Sequence, residues 1–230
     1  DFRVHADAAY GGFFKLIAEE LPSAGEWAML KEADSIVIDP HKHGLQPYGC
    51  GSVLYKDASV GKFFKHDSPY TYFTSDQLHL GEISLECSRA GASAAALWAT
   101  LQLLPLKAEG LGTVLRKARS AAVIFADRVK KSNRFELYTE PDLDITGYFK
   151  VPDEKTTSAV SECSEKVFRD GMEDPDNGYH LSLFRVPADH FCRAFQGYKS
   201  DTESVVMLRS VFMKEEHEAF ADTLAERLDM

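Results

Sequence analysis

A short apolar run, Ser35-Ile36-Val37-Ile38, stops at Asp39-Pro40 and delivers His41-Lys42-His43-Gly44. A few β-branched residues bounded by turn formers predict a strand buried inside a sheet. That strand constrains the fold, because of what surrounds it. A short strand ends near Ala6, and Gly11-Gly12 opens a turn. Phe13, Phe14, Ile17 and Leu21 then fall on one side of a helix over Phe13–Leu21, and a second helical stretch spans about Glu26 to Ala33. A glycine-punctuated loop from His43 to Gly51 follows the buried strand and leads to a strand over Ser52–Tyr55. Strands separated by helices predict a parallel sheet covered on both faces.

Residues 62–80, "KFFKHDSPYTYFTSDQLHL", are aromatic and polar without clear period. They read as a long loop, and long loops in compact domains are usually functional or mobile. "AGASAAALWATLQLLP", residues 90–105, reads as a buried helix, and an amphipathic helix runs from about Leu111 to Lys131. Beyond residue 132 the pattern is α+β. "FELYTE", "DLDITGYFKV", "HLSLFRV" and "SVVMLRSVF" read as strands. "TSAVSECSEKVFRDG" reads as a helix with Gly171 as its C-cap. "EEHEAFADTLAERL" closes the chain as a helix, completing a small two-layer domain. The domain boundary is placed near Leu106, giving residues 1–106 and 107–230.

With 230 residues, 44% of them hydrophobic, the chain can bury a sizeable core. A formal net charge of −10 argues against nucleic acid or an anionic membrane as partner. No apolar run approaches the ~18 residues that span a bilayer, and the amino end has no charged-then-apolar signal pattern. Cys50, Cys87, Cys163 and Cys192 are far apart and form no CxxC pair. They read as free buried thiols of a reduced, cytoplasmic protein. Asp1 stands where a domain seldom begins, directly ahead of a strand without lead-in or cap, so further sequence is expected upstream.

His5, Asp7, His41 and His43 are acceptable zinc ligands. Their spacing has no HxxxH and no cysteine pair, and Lys42 would set a fixed charge beside the cation. No metal is expected. A lysine just past a strand end is most often a solvated loop residue. Here the strand before Lys42 is buried, and Asp7 lies just past another strand end. In an open α/β sheet ligands bind outside the carboxyl ends of the strands, and parallel strands open both residues onto one edge. A lysine amine and a carboxylate at that edge suggest pyridoxal phosphate, with the amine bonded to the aldehyde and the carboxylate at the ring nitrogen.

"HADAAYGG" (5–12), "DPHKHG" (39–44) and "ECSRAGASAAALW" (86–98) together resemble the group II pyridoxal-phosphate decarboxylases. These cover glutamate, cysteine-sulfinate, aspartate, diaminobutyrate, tyrosine and aromatic amino-acid decarboxylases. The resemblance runs over essentially the whole chain, more loosely at "DLDITGYF" and "MLRSVF". It implies the type I pyridoxal-phosphate transferase fold. Residues 1–106 would be the carboxyl-terminal part of a large α/β domain with a mostly parallel sheet, and 107–230 a small α+β domain. The resemblance makes Lys42 the Schiff-base lysine and Asp7 the partner of the pyridine nitrogen. Ala9 would pack near the ring and His41 near the phosphate. Ser88 would approach the phosphate from the partner subunit of a homodimer, and Arg209 would hold a substrate carboxylate. Residues 62–80 occupy the place of a catalytic loop, where Tyr70 or Tyr72, or else His79, would protonate the carbanion after CO₂ leaves.

The sequence departs from the family at His43, where a tryptophan often stands, and after Arg209, where "MKEEH" replaces an "NP"-type ending. The phosphate loop and the ring-stacking histidine of the family's amino-terminal half are not in these residues. The expected activity is decarboxylation of an L-amino acid by the complete enzyme, the 230 residues alone being inactive. A carbon–carbon lyase of the sphingosine-phosphate lyase type, suggested by "HKHGLQPYGCGSVLY", and a fragment that binds no cofactor are the competing readings.

Overall fold

The computed structural model describes residues 2–65 and 91–229. The chain divides into two compact units, Asp1–Gly112 and Thr113–Met230.

In the first unit β1 (His5–Asp7) runs parallel to β2 (Ser35–Ile38), which is the central strand of three. Parallel neighbours need a crossover, and two 3-10 helices supply it, Gly12–Glu20 and Glu26–Glu32. Phe13, Phe14, Ile17 and Leu21 are buried, as their helical spacing requires, with a kink at Ile17. β3 (Ser52–Tyr55) pairs antiparallel with β2. The sheet described here is thus mixed, one parallel and one antiparallel pairing, where a mostly parallel one was expected. The segment between β2 and β3 holds turns and no helix, so the chain doubles back. α1 (Gly91–Leu103) is helical as expected, but none of its residues is buried, and Trp98 and Leu103 stand open. An all-round apolar helix is one meant to be covered on every side, and the described residues of its own unit cover only part of it.

The second unit begins with α2 (Gly112–Lys131), most of which lies in it. Its antiparallel sheet has the order β4-β5-β7-β6, from β4 (Phe135–Thr139), β5 (Ile145–Lys150), β6 (Ser182–Pro187) and β7 (Ser204–Val211). Side chains alternate across a strand. On one face Tyr148 and Leu208 pack with Ala122, Phe125 and Val129 of α2 and Leu224 of α5 (His217–Arg227). On the other, Phe149, Val205 and Met207 pack with Val160 of α3 (Thr157–Glu173) and Phe191 of α4 (Ala188–Ala194). The central strands are buried on both sides, so the two-layer expectation gives way to a sheet covered twice. α3 runs past Gly171, which is no C-cap. The ring of Tyr179 lies 2.0 Å from where a Cβ on Gly171 would be. Glycine is there to let that ring approach.

Candidate functional site

The lysine loop is built from its own turn chemistry. Asp39 and Pro40 open a turn closed by Lys42 N–H donating to the Asp39 carbonyl at 2.9 Å. Proline suits the second position of such a turn because its φ is fixed. Gly44 then passes so close to Pro40 that a Cβ would sit 2.6 Å from the Pro40 Cα, which excludes any side chain. Buried Gln46 donates from Nε2 to the Gly44 carbonyl and to the Thr100 hydroxyl, each at 2.9 Å, and so ties the loop to α1. His41 donates from its backbone N–H and from Nδ1 to the Cys50 carbonyl, at 3.0 and 2.8 Å, and its ring stacks on Tyr48. His43 is buried. It donates Nδ1–H to the Tyr10 carbonyl at 2.7 Å and meets Tyr10 and Phe14 edge-on. The residue that departs from the family at this position is thus spent on packing beneath the loop.

Lys42 is held at the loop surface. Its Nζ lies 2.9 Å from Asp39 Oδ2, with the lysine side chain 31% exposed and the aspartate 16%. His41 Nε2 stands 3.6 Å from the same oxygen.

Asp7 is placed by register. It pairs with Val37 in the parallel ladder. The ladder continues past it, with Ala8 N–H donating to the Val37 carbonyl and Asp39 N–H to the Ala9 carbonyl, each at 3.1 Å. The ends of β1 and β2 are therefore level, and Asp7 and the Lys42 loop leave the sheet at the same edge. Asp7 Oδ1 accepts from Ala9 N–H at 3.2 Å, and its other oxygen has no partner among the described residues. Half-buried Ala9 serves both contacts through its backbone. An exposed carboxylate with an open oxygen can hold a protonated ring nitrogen, and an amine at the same edge can bond an aldehyde. The two groups fit a pyridoxal ring in kind.

Arg209 belongs to the second unit. It lies on β7 opposite Gly147 of β5 and Ser182 of β6, with the Phe184 ring filling the space over Gly147. Its Nε is buried without a hydrogen-bond partner among the described residues. A buried, unanswered guanidinium N–H carries a desolvation cost that an arriving carboxylate relieves.

Tyr70, Tyr72, His79, Cys87 and Ser88 lie outside the described residues. Reading the sequence missed Asp39 as a partner of Lys42. The signal was present, since a carboxylate three residues before a lysine across a turn can reach it. It also missed the Cys50 carbonyl, which no side-chain pattern reveals.

The family model described as "Pyridoxal-dependent decarboxylase conserved domain" matches residues 1–148. An L-tyrosine decarboxylase of Enterococcus faecium is 30% identical over 208 residues, which are 73% of this chain and 34% of that protein. A probable L-aspartate decarboxylase of Pyrococcus abyssi is 32% identical over 149 residues, 63% of this chain and 37% of that one. Among solved structures, Oryza sativa TDC with PLP and tryptamine matches with TM-score 0.75 at 16% identity, over 98% of this chain and 44% of that chain. Mouse CSAD matches with TM-score 0.74 at 19% identity, over 99% and 44%. The chain thus spans about a third of the curated relatives' length and under half of the solved chains. These likenesses give the fold as that of the type I pyridoxal-phosphate enzymes. The match over 1–148 is decisive for kinship: the chain belongs to the pyridoxal-dependent decarboxylase family.

Proposed function

We propose that this chain carries the cofactor lysine of a decarboxylase that releases CO₂ from an L-amino acid, and that the activity belongs to the complete enzyme. The observation that carries the reading is the level ending of β1 and β2, which brings the Asp7 carboxylate and the Lys42 loop to one sheet edge. Bound there, pyridoxal phosphate supplies the electron sink for the pair left on the α-carbon when CO₂ departs.

Lys42 Nζ is the attachment point. Asp7 keeps a proton on the pyridine nitrogen, through the oxygen that Ala9 leaves open. Ala9 leaves room beside the ring, and His41 and Ser88 serve the phosphate, Ser88 from the partner subunit of a homodimer. Arg209 grips the substrate carboxylate with two parallel hydrogen bonds. Tyr70 or Tyr72, or else His79, returns a proton to the α-carbon. A phosphate dianion needs several donors, commonly backbone N–H groups at a helix start. Residues 1–42 supply no glycine loop of that kind, so residues 1–230 alone are inactive on this reading. The enzyme works in the cytoplasm. Relatives named for L-tyrosine and for L-aspartate both match, so the substrate is given as an amino acid without further choice.

Borohydride reduction of the complete, cofactor-loaded protein followed by peptide mapping tests the assignment. The pyridoxyl group should be found on Lys42. Label on another lysine with Lys42 clean overturns it. Robust CO₂ release by residues 1–230 with added cofactor would overturn the inactivity of the piece.

A further inference from the structure

The carboxylate beside Lys42 has no part in the chemistry described so far. Asp39 is fixed from both sides of its backbone, its N–H on the Ala9 carbonyl and its own carbonyl on Lys42 N–H. Its side chain is mostly buried, and Oδ2 takes the Lys42 ammonium at 2.9 Å. Among the described residues that ion pair is the contact Nζ makes, and the lysine side chain is 31% exposed. An ammonium turned onto its own loop has no lone pair to offer an aldehyde.

We propose that Asp39 is a positioning residue that parks the Lys42 amine on the loop until cofactor arrives. The proposal rests on reading Lys42 as the cofactor lysine. Loading then requires the ion pair to open. The Nζ lone pair forms the bond to the aldehyde carbon, and the bond from that carbon to its oxygen breaks. Of the three ammonium protons, two leave with that oxygen as water and one goes to solvent. His41 Nε2 stands 3.6 Å from Asp39 Oδ2.

The test is competitive acetylation of the complete protein freed of cofactor, read lysine by lysine by mass spectrometry. In Asp39→Asn, which keeps the shape and removes the charge, Lys42 should acetylate about threefold faster, the size expected when a partly exposed ion pair is lost. Lys15 and Lys56 serve as internal references and should not change. Asp39→Glu keeps the charge and should return Lys42 toward its original rate. An unchanged Lys42 rate in Asp39→Asn overturns the parking role, as does an equal rise in the Asn and Glu variants. A rise at every lysine marks unfolding, and the Glu variant then decides. The borohydride experiment on the unmodified protein is a separate arm. If it fails to find pyridoxyl on Lys42 the functional reading falls, whereas a labelled Lys42 with unaltered acetylation removes Asp39 alone.

Discussion

The two units spend their apolar residues differently. In the second, Phe125, Tyr148, Phe149, Phe191 and Leu208 are fully shielded, and both faces of the sheet are covered. In the first, Val53, Leu54 and Tyr55 of β3 are exposed, as are Phe63, Phe64, Trp98 and Leu103. An apolar cleft of about 370 Å³ opens between β2, β3 and α1, lined by Phe13, Ile38, Leu54, Leu97 and Leu101 among others. Protein interiors are close-packed, so the second unit has an interior of its own, and the described residues of the first form part of one. Yet the first holds the lysine loop, one of the most tightly hydrogen-bonded stretches of its unit. Local order at a site and closure of a core are separate achievements, and the loop gets its order from its turn hydrogen bonds and from the side chains of His41, His43 and Gln46.

The comparison breaks most visibly in stability. Phe125→Ala in the second unit should cost about 3–5 kcal/mol, the usual range for emptying a fully buried aromatic site. Leu54→Ala in the first, a residue 54% exposed, should cost under about 1 kcal/mol. Both tryptophans, Trp27 and Trp98, lie in the first unit. Tryptophan fluorescence therefore follows that unit, and far-ultraviolet helical dichroism is weighted toward the other, which holds α2, α3 and α5. A Leu54 cost as large as that of Phe125 would mean that the β3 face is covered in solution.

Chemistry should split the units the other way. Asp7→Asn still accepts from Ala9 N–H, and Asp7 is exposed, so stability should move by no more than about 0.5 kcal/mol. Turnover of the complete enzyme should nonetheless drop by an amount worth about 3 kcal/mol of barrier, as when a preorganised charge is removed from a developing one. Turnover close to the original with cofactor bound would show that Asp7 does not face the ring nitrogen.

How much of this was legible depended on range. β2 and β3 were readable to the residue, because four-residue runs bounded by Asp39-Pro40, Gly51 and Ser35 leave little choice. The antiparallel turn of β3 was not, since direction depends on where the chain goes between strands. Burial of α1 was misjudged for a related reason. Composition says that a helix wants cover, and only the rest of the fold says whether it has it. That Asp7 and the Lys42 loop leave the sheet at one edge was legible, because each stands at a strand end and parallel strands end on the same side. Asp39 was in the same quoted motif but reads there as a turn former. α4 was missed because seven residues following Pro187 carry too short a period to detect.

Arg209 is the substrate-binding residue proposed for the well-packed unit, and it tests whether a closed core can also serve binding. Arg209→Lys removes a guanidinium fork and the orphan Nε–H together. The Michaelis constant should rise by about ten- to a hundredfold, in line with the ~1.5–3 kcal/mol of a hydrogen bond to a charged group, with cofactor absorbance unchanged. An unaltered constant returns Arg209 to a strand residue with a merely structural place.

The smallest effect is a pH-dependent one, confined to the second unit. Asp201 caps the start of α3, accepting from Thr157 Oγ1 at 2.7 Å and Ser158 N–H at 2.9 Å, and from the Ser158 hydroxyl as well. Those bonds, the Ser158 hydroxyl first and Thr157 next, hold its carboxyl down at about 2. An unfolded aspartate titrates near ~3.9. The folded value is the lower one, so the ionised cap stabilises the fold at every pH above about 4 and loses that contribution as pH falls toward about 2. Asp201→Asn keeps an acceptor oxygen and drops the charge, and with it the attraction to the amino end of α3. Melting of the second unit, followed by far-ultraviolet helical dichroism, should show a constant deficit for the variant from neutral pH down to about pH 5. The two curves should then converge between about pH 4 and pH 2, while tryptophan fluorescence from the first unit shows no difference between the proteins at any of these values. A deficit of constant size down to pH 2 would assign the cap's effect to shape rather than charge.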